Sequence, residues 1–187
     1  MARHKTLSDE QVLQRLLLEL MAAGPADFTF AKAAKACGLS AATLVQRYGD
    51  RSSLVEAILL HAWNMLDAQT EAADAEAAET PEGAIDLLLQ LMPDGDAERN
   101  ATEGLLLLRE DFQNPVLRAR GSAWGHRLAA ILGRRLTADM ANALSLGWEM
   151  ASLWQGAYIW WAFNRGDSAE AAIRRTLTNW INRQAGE

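Results

Sequence analysis

The sequence predicts an all-α protein with a three-helix head joined to a larger helical domain. Apolar residues recur at helical spacing from end to end, no segment alternates in the two-residue manner of a strand, and one short helix-turn-helix interrupts the longer patterns. The expected division is residues 1–50 for the head and 51–187 for the remainder.

Residues 1–7 are expected to form an N-terminal arm whose Arg3, His4 and Lys5 either touch phosphate or simply fray. Ser8 is placed to cap the first helix. Gln11 completes a capping box, and Asp9 and Glu10 suit the positive end of the helix dipole. Leu13, Leu16, Leu17 and Leu20 make its buried stripe, and Gly24 and Pro25 end it. Thr29 caps a second helix whose inward face is Phe30, Ala33, Ala34 and Cys37. Gly38 stops that helix by permitting a left-handed backbone, Leu39 turns inward, and Ser40 caps a third helix from about Ala41 to Tyr48. Leu44 and Tyr48, four apart, share its buried face.

This is a helix-turn-helix, whose second helix enters the DNA major groove. The residues left outward are Ala41, Ala42, Thr43, Val45, Gln46 and Arg47. Gln46 and Arg47 suit base reading, since Gln pairs with adenine and Arg with guanine, while Ala41 and Ala42 offer apolar or backbone contact. Thr43 and Arg51 are expected to hold phosphate, and Thr29 with its helix N-terminus to do the same.

The stretch GLSAATLVQRYGDRSSL resembles the DNA-binding signature of the tetracycline-repressor (TetR) family. The matching residues are Gly38, Leu39, Ser40, Thr43, Leu44, Tyr48, Gly49 and Arg51. The resemblance covers roughly residues 10–60. It departs at Val45, where family members very often carry a phosphate-binding Tyr; Val cannot hydrogen-bond and offers apolar contact, as to a thymine methyl. The family implies a homodimer on a palindromic operator, with repression as the expected outcome.

A long fourth helix follows from Asp50, with Leu54, Ile58, Ala62 and Met65 on one stripe and Val55, Leu59 and Leu66 beside it. Its acidic, alanine-rich tail TEAADAEAAETPEG lacks a strong apolar face and is expected to fray. Further helices run from about Pro81 to Met92, through Leu105–Leu108 and Phe112, from Pro115 to Leu136, from Thr137 or Asp139 to Asn164, and onward from a Ser168 cap. PDGD, residues 93–96, is a turn. Leu105–Leu108 are apolar all round and expected to be buried on more than one side. Gly166 is expected to end the helix that reaches Asn164.

Between Leu144 and Phe163 apolar residues occupy nearly every side, more than one chain can cover. Met150, Leu153, Ala157 and Trp161, with Ile173, Leu177 and Trp180 of the last helix, are the candidate dimer interface, and Gly147 and Gly156 permit close helix crossing. Seven tryptophans and six methionines serve a core equally well or line a cavity for an apolar or aromatic effector. The candidate lining is Trp63, Leu91, Leu105, Phe112, Trp124, Leu128 and Trp148, with Arg109 and Glu149 supplying polarity.

The chain's net charge is −6, yet residues 1–60 hold seven basic and six acidic groups, including all three lysines. The acidic excess lies in the remainder, leaving the head as the face that tolerates phosphate. Cys37 is a lone small core residue, and no metal-ligand spacing, phosphate-binding glycine loop or convergent catalytic set is present. Neither a metal, a cofactor nor an enzymatic activity is expected. No run reaches the roughly 18 apolar residues of a membrane span, and the first residues lack a signal peptide, so a soluble cytoplasmic protein is expected. The expected function is a ligand-responsive transcriptional regulator that binds double-stranded DNA as a homodimer. The alternative, supported by Val45, Ala41 and Ala42, is a helical adaptor or effector-binding protein of the same fold that has lost operator binding.

Overall fold

The computed structural model describes residues 7–92, 97–184 and 186. The basic arm at residues 1–6 and the turn at 93–96 lie outside the described residues. Among those described there are nine helices and no strand: α1 (Asp9–Asp27), α2 (Phe30–Cys37), α3 (Ala41–Tyr48), α4 (Arg51–Glu76), α5 (Pro81–Gln90), α6 (Ala97–Gln113), α7 (Pro115–Leu136), α8 (Met140–Asn164) and α9 (Ala169–Gln184). They form two compact units. One comprises residues up to Met65 with Glu103–Arg120; the other comprises Leu66–Thr102 and the chain from Gly121. The boundary of packing therefore falls inside α4, because its early turns are buried with α1–α3.

In the first unit Val12, Leu16 and Leu20 of α1 meet Phe28, Ala33 and Cys37, Leu44 of α3, and Leu54 and Ile58 of α4 in one apolar cluster. The Ser8 oxygen accepts the Gln11 amide at 3.2 Å and the Gln11 side chain accepts the Ser8 amide at 3.1 Å, the reciprocal capping box. Gly24 breaks α1 at φ +73°, and Pro25 begins a further short turn to Asp27. Leu117 of α7 belongs to the same buried cluster, and Leu107 of α6 packs against it. The other apolar residues of α6 are not enclosed. Leu105 and Phe112 are 52% and 65% exposed, and Leu106 and Leu108 are also open, so burial on several sides does not occur within this chain. The reason is geometric: only the Leu107 side of the helix meets the cluster.

The second unit corrects the expectation of a frayed α4 tail. Ala73 and Thr70 are buried, and the acidic side chains are held by arginines of α7. Arg135 has no exposed side-chain surface; it donates to Asp74 Oδ1 at 2.7 Å and to the carbonyls of Asp74, Ala77 and Ala78 at 2.9–3.1 Å. Arg134 pairs with Asp74 and Glu79, and Arg127 with Asp67 and Glu71. A buried guanidinium is tolerated because a carboxylate and several carbonyls replace its water.

The backbones of α7 and α8 approach closely. A Cβ on Gly147 would lie 1.9 Å from the Ala129 carbonyl oxygen, and one on Gly133 would lie 2.1 Å from that of Ala143. Gly156, expected to serve the same purpose, has nothing within 4 Å of a Cβ. Asp139 caps α8, whose end is set by Arg165 in the left-handed region at φ +48° rather than by Gly166. Its amide donates to the Trp161 carbonyl, which suffices to close the last turn. Ser168 then caps α9 through the Ala171 amide at 3.1 Å.

Candidate nucleic-acid interface

The α2–α3 pair is organised by three local devices. The Thr29 oxygen accepts the Lys32 amide at 3.3 Å, fixing the start of α2. At its end, Gly38 adopts φ +70°, and the Gly38 and Leu39 amides both donate to the Ala34 carbonyl. The Ser40 oxygen then accepts the Thr43 amide at 3.0 Å and lies 2.8 Å from the Thr43 hydroxyl. With Leu44 fully buried and Tyr48 half-buried, the opposite side of α3 is fixed outward: Ala41, Ala42, Val45, Gln46 and Arg47 are exposed. Thr43 is half-buried beside its cap.

Two arginines behave differently from each other. Arg51 Nε donates to the Phe28 carbonyl at 2.9 Å, and its Nη2 donates to the Pro25 carbonyl. Its guanidinium therefore ties the start of α4 to the end of α1 and the residue that follows it, a contact that sequence spacing did not signal. Arg47 Nη1 donates to Asp9 Oδ1 at 3.0 Å, across 38 residues of sequence. Burial, then the nearby Asp9 charge, holds the Tyr48 phenol above its ordinary pKa.

This arrangement of a capped, solvent-facing second helix on a three-helix cluster has counterparts among solved structures. A candidate TetR-family transcriptional regulator from Rhodococcus sp. superposes with a TM-score of 0.63 and 16% identity, covering 91% of this chain and 94% of that one. The TetR-family transcriptional regulator PfmR from Thermus thermophilus gives 0.61 and 20% identity, over 92% of this chain and 97% of its own. The fold is TetR-like. No family model and no curated protein matches the sequence, so the likeness resides in the backbone.

Within this TetR-like fold, the candidate effector lining is divided between the two units. In the first, Trp63 Nε1 donates to Asp111 Oδ1 at 3.0 Å, Arg109 pairs with the adjacent Glu110, and Leu105 and Phe112 stand exposed. Burial first, with Glu110 as a lesser cause, raises the Asp111 pKa against the lowering effect of the Trp63 hydrogen bond. In the second unit Leu91, Trp124 and Leu128 belong to the core, and Trp124 Nε1 donates to the Thr70 hydroxyl at 3.0 Å. Trp148 alone of that group reaches the surface, in a groove shared with Ser145, Glu149, Ser152, Leu153 and Trp180.

The candidate dimer residues also require correction. Met150, Ile173 and Leu177 have no exposed surface and Trp180 is nearly buried, so they pack α8 against α9 within one chain. Leu153, Ala157 and Trp161 are half-buried, and Trp161 Nε1 donates to the Asp167 carbonyl at 2.7 Å. The uncovered stripe of α8 is instead Leu144, Trp148, Ile159 and Phe163, flanked by Trp160; Phe163 is 76% and Trp160 67% exposed. Helical periodicity identified α8 as over-apolar but could not tell which stripe α9 would cover. Among the described residues no helix is long and apolar enough to cross a membrane, and no group of three or more metal-ligating side chains occurs.

Proposed function

We propose that the protein is a sequence-specific, DNA-binding transcriptional regulator acting in the cytoplasm as a homodimer. The observation that carries this reading is the outward side of α3. Ala41, Ala42, Val45, Gln46 and Arg47 are exposed on a helix whose start is fixed by Gly38 and Ser40 and whose other side is anchored by Leu44. Small residues at the helix start let the backbone approach the groove floor, and Gln46 and Arg47 supply donors and acceptors for base edges. Thr29 and Thr43 are assigned to phosphate. Arg51 is assigned to holding α4 on the head rather than to phosphate, since two carbonyls occupy its guanidinium.

The exposed apolar side chains of α8, Leu144 and Trp148 towards its start and Ile159, Trp160 and Phe163 near its end, support self-association: apolar surface of this kind is costly to leave in water and suits a two-fold partner presenting the same residues. Such a dimer presents two α3 helices to half-sites about 34–36 Å apart. An apolar or aromatic effector that binds one dimer geometry better than another shifts DNA affinity by the same coupling, with α4, which contributes to both units, as the carrier. The adaptor reading draws on Val45, an exposed apolar side chain at a position that offers phosphate no hydrogen bond.

Selection from random duplex DNA tests the proposal. Enrichment of a palindromic site, bound by a dimer with a steep salt dependence, is the expected result. A folded dimer that enriches no site would establish the adaptor reading.

A further inference from the structure

The Asp9–Arg47 pair is not explained by packing. The Asp9 side chain is 84% exposed and that of Arg47 34%, so neither charge needs the other to survive burial. Exposed pairs of this kind contribute little to stability, and Asp9 already has a role at the N-terminus of α1. What distinguishes it is its place: a carboxylate beside the one basic residue on the outward side of α3.

We propose that Asp9 is a positioning and specificity residue that makes Arg47 a base reader rather than a phosphate ligand; this rests on the DNA-binding reading above. A phosphate is drawn to a guanidinium chiefly by charge, and a carboxylate at 3.0 Å cancels much of that attraction while repelling the phosphate itself. A guanine edge is neutral and is recognised through two directed hydrogen bonds to O6 and N7, which depend on orientation more than on net charge. Asp9 takes Nη1 of Arg47, which leaves the Nε–Nη2 edge with its two parallel donors for such a base. The pair thus lowers affinity for arbitrary sequence while holding the fork in one orientation for the matching sequence.

The test is a double-mutant cycle with Asp9→Asn, Arg47→Ala and their combination. Affinities are measured for a selected duplex and a mixed-sequence duplex over a range of salt, with Asp9→Ser as a second Asp9 variant and thermal melting as the folding control. Asp9→Asn is expected to tighten mixed-sequence binding by about three- to fivefold and to steepen its salt dependence by about one counterion. It should also reduce the ratio of selected to mixed-sequence affinity. In the Arg47→Ala background that ratio should no longer respond to Asp9. An equal shift on both duplexes, or the same shift without Arg47, would reduce Asp9 to a diffuse negative charge and overturn the proposal. Failure of the wild-type protein to bind any duplex would instead sink the DNA-binding reading, and this inference with it.

Discussion

The α2–α3 hairpin and the α4–α7 face of the second unit are both held by polar contacts, but of opposite range. In the hairpin the Ser40 oxygen accepts an amide three residues away, whereas Arg135 and Asp74 meet across 61 residues. The hairpin contacts are exposed and weak one at a time, yet each fixes a helix boundary. The Arg135 contacts are buried and close a surface that neither helix could close alone. Helix boundaries thus come from local chemistry, and the fate of a helical face from what packs on it.

Replacing the buried arginine should have the largest effect. Arg135→Ala leaves the Asp74 side chain short of a donor and the Ala77 and Ala78 carbonyls unpaired, and is expected to cost about 3–5 kcal/mol. For a chain of this size that lowers the melting temperature by roughly 6–20 °C. Arg127→Ala, which removes a more open guanidinium with its pairs to Asp67 and Glu71, should cost less than about 1 kcal/mol. Equal losses from the two would erase the contrast between the buried and exposed parts of that face.

Next in size is Arg51→Ala, which removes two charge-assisted hydrogen bonds to carbonyls and should cost about 2 kcal/mol in a denaturant titration. Its salt dependence of DNA binding should stay that of the wild type; a slope reduced by about one would return Arg51 to the phosphate role expected from the helix-turn-helix. Gly38→Ala places a Cβ on a residue at φ +70°, and Ser40→Ala removes a cap, each for about 1 kcal/mol.

The smallest effect separates burial from charge in the first unit. Asp111→Asn keeps an acceptor for Trp63 while removing the desolvated charge, and should stabilise the protein at neutral pH by less than about 1 kcal/mol. A carboxyl with a raised folded pKa binds its proton more tightly in the folded state. The wild type therefore gains stability relative to the Asp111→Asn variant as pH falls through that pKa, and loses it again on the way up. Melting curves from neutral to acidic pH check the sign: the gap should narrow towards acid.

The caps and breaks were legible because their causes lie within a few residues. Ser8 with Gln11, Thr29, Gly38 and Ser40 each act as their side chains or backbone freedom dictate. The second half of α4 was not legible, since an alanine-rich acidic segment looks frayed until Arg127, Arg134 and Arg135 arrive from α7. Nor was the orientation of α8: its apolar residues surround the helix, and only the packing of its neighbours, α7 among them, settles that Leu144, Ile159 and Phe163 stay outside while Trp148 lies edge-on to His126. In the candidate interface, sequence placed Gln46 and Arg47 outward from the 3.6-residue period. The partners of Arg47 and Arg51 come from α1 and the segment that follows it, where no spacing rule reaches.

The most direct measurement is the affinity of wild type and Arg47→Ala for a selected duplex and its scrambled counterpart as salt is varied. The wild type is expected to prefer the selected site by about a thousandfold or more. Arg47→Ala should lose about 1–3 kcal/mol on that site with little change on the scrambled one. Equal affinity for the two duplexes, untouched by the substitution, would contradict DNA sequence recognition by α3.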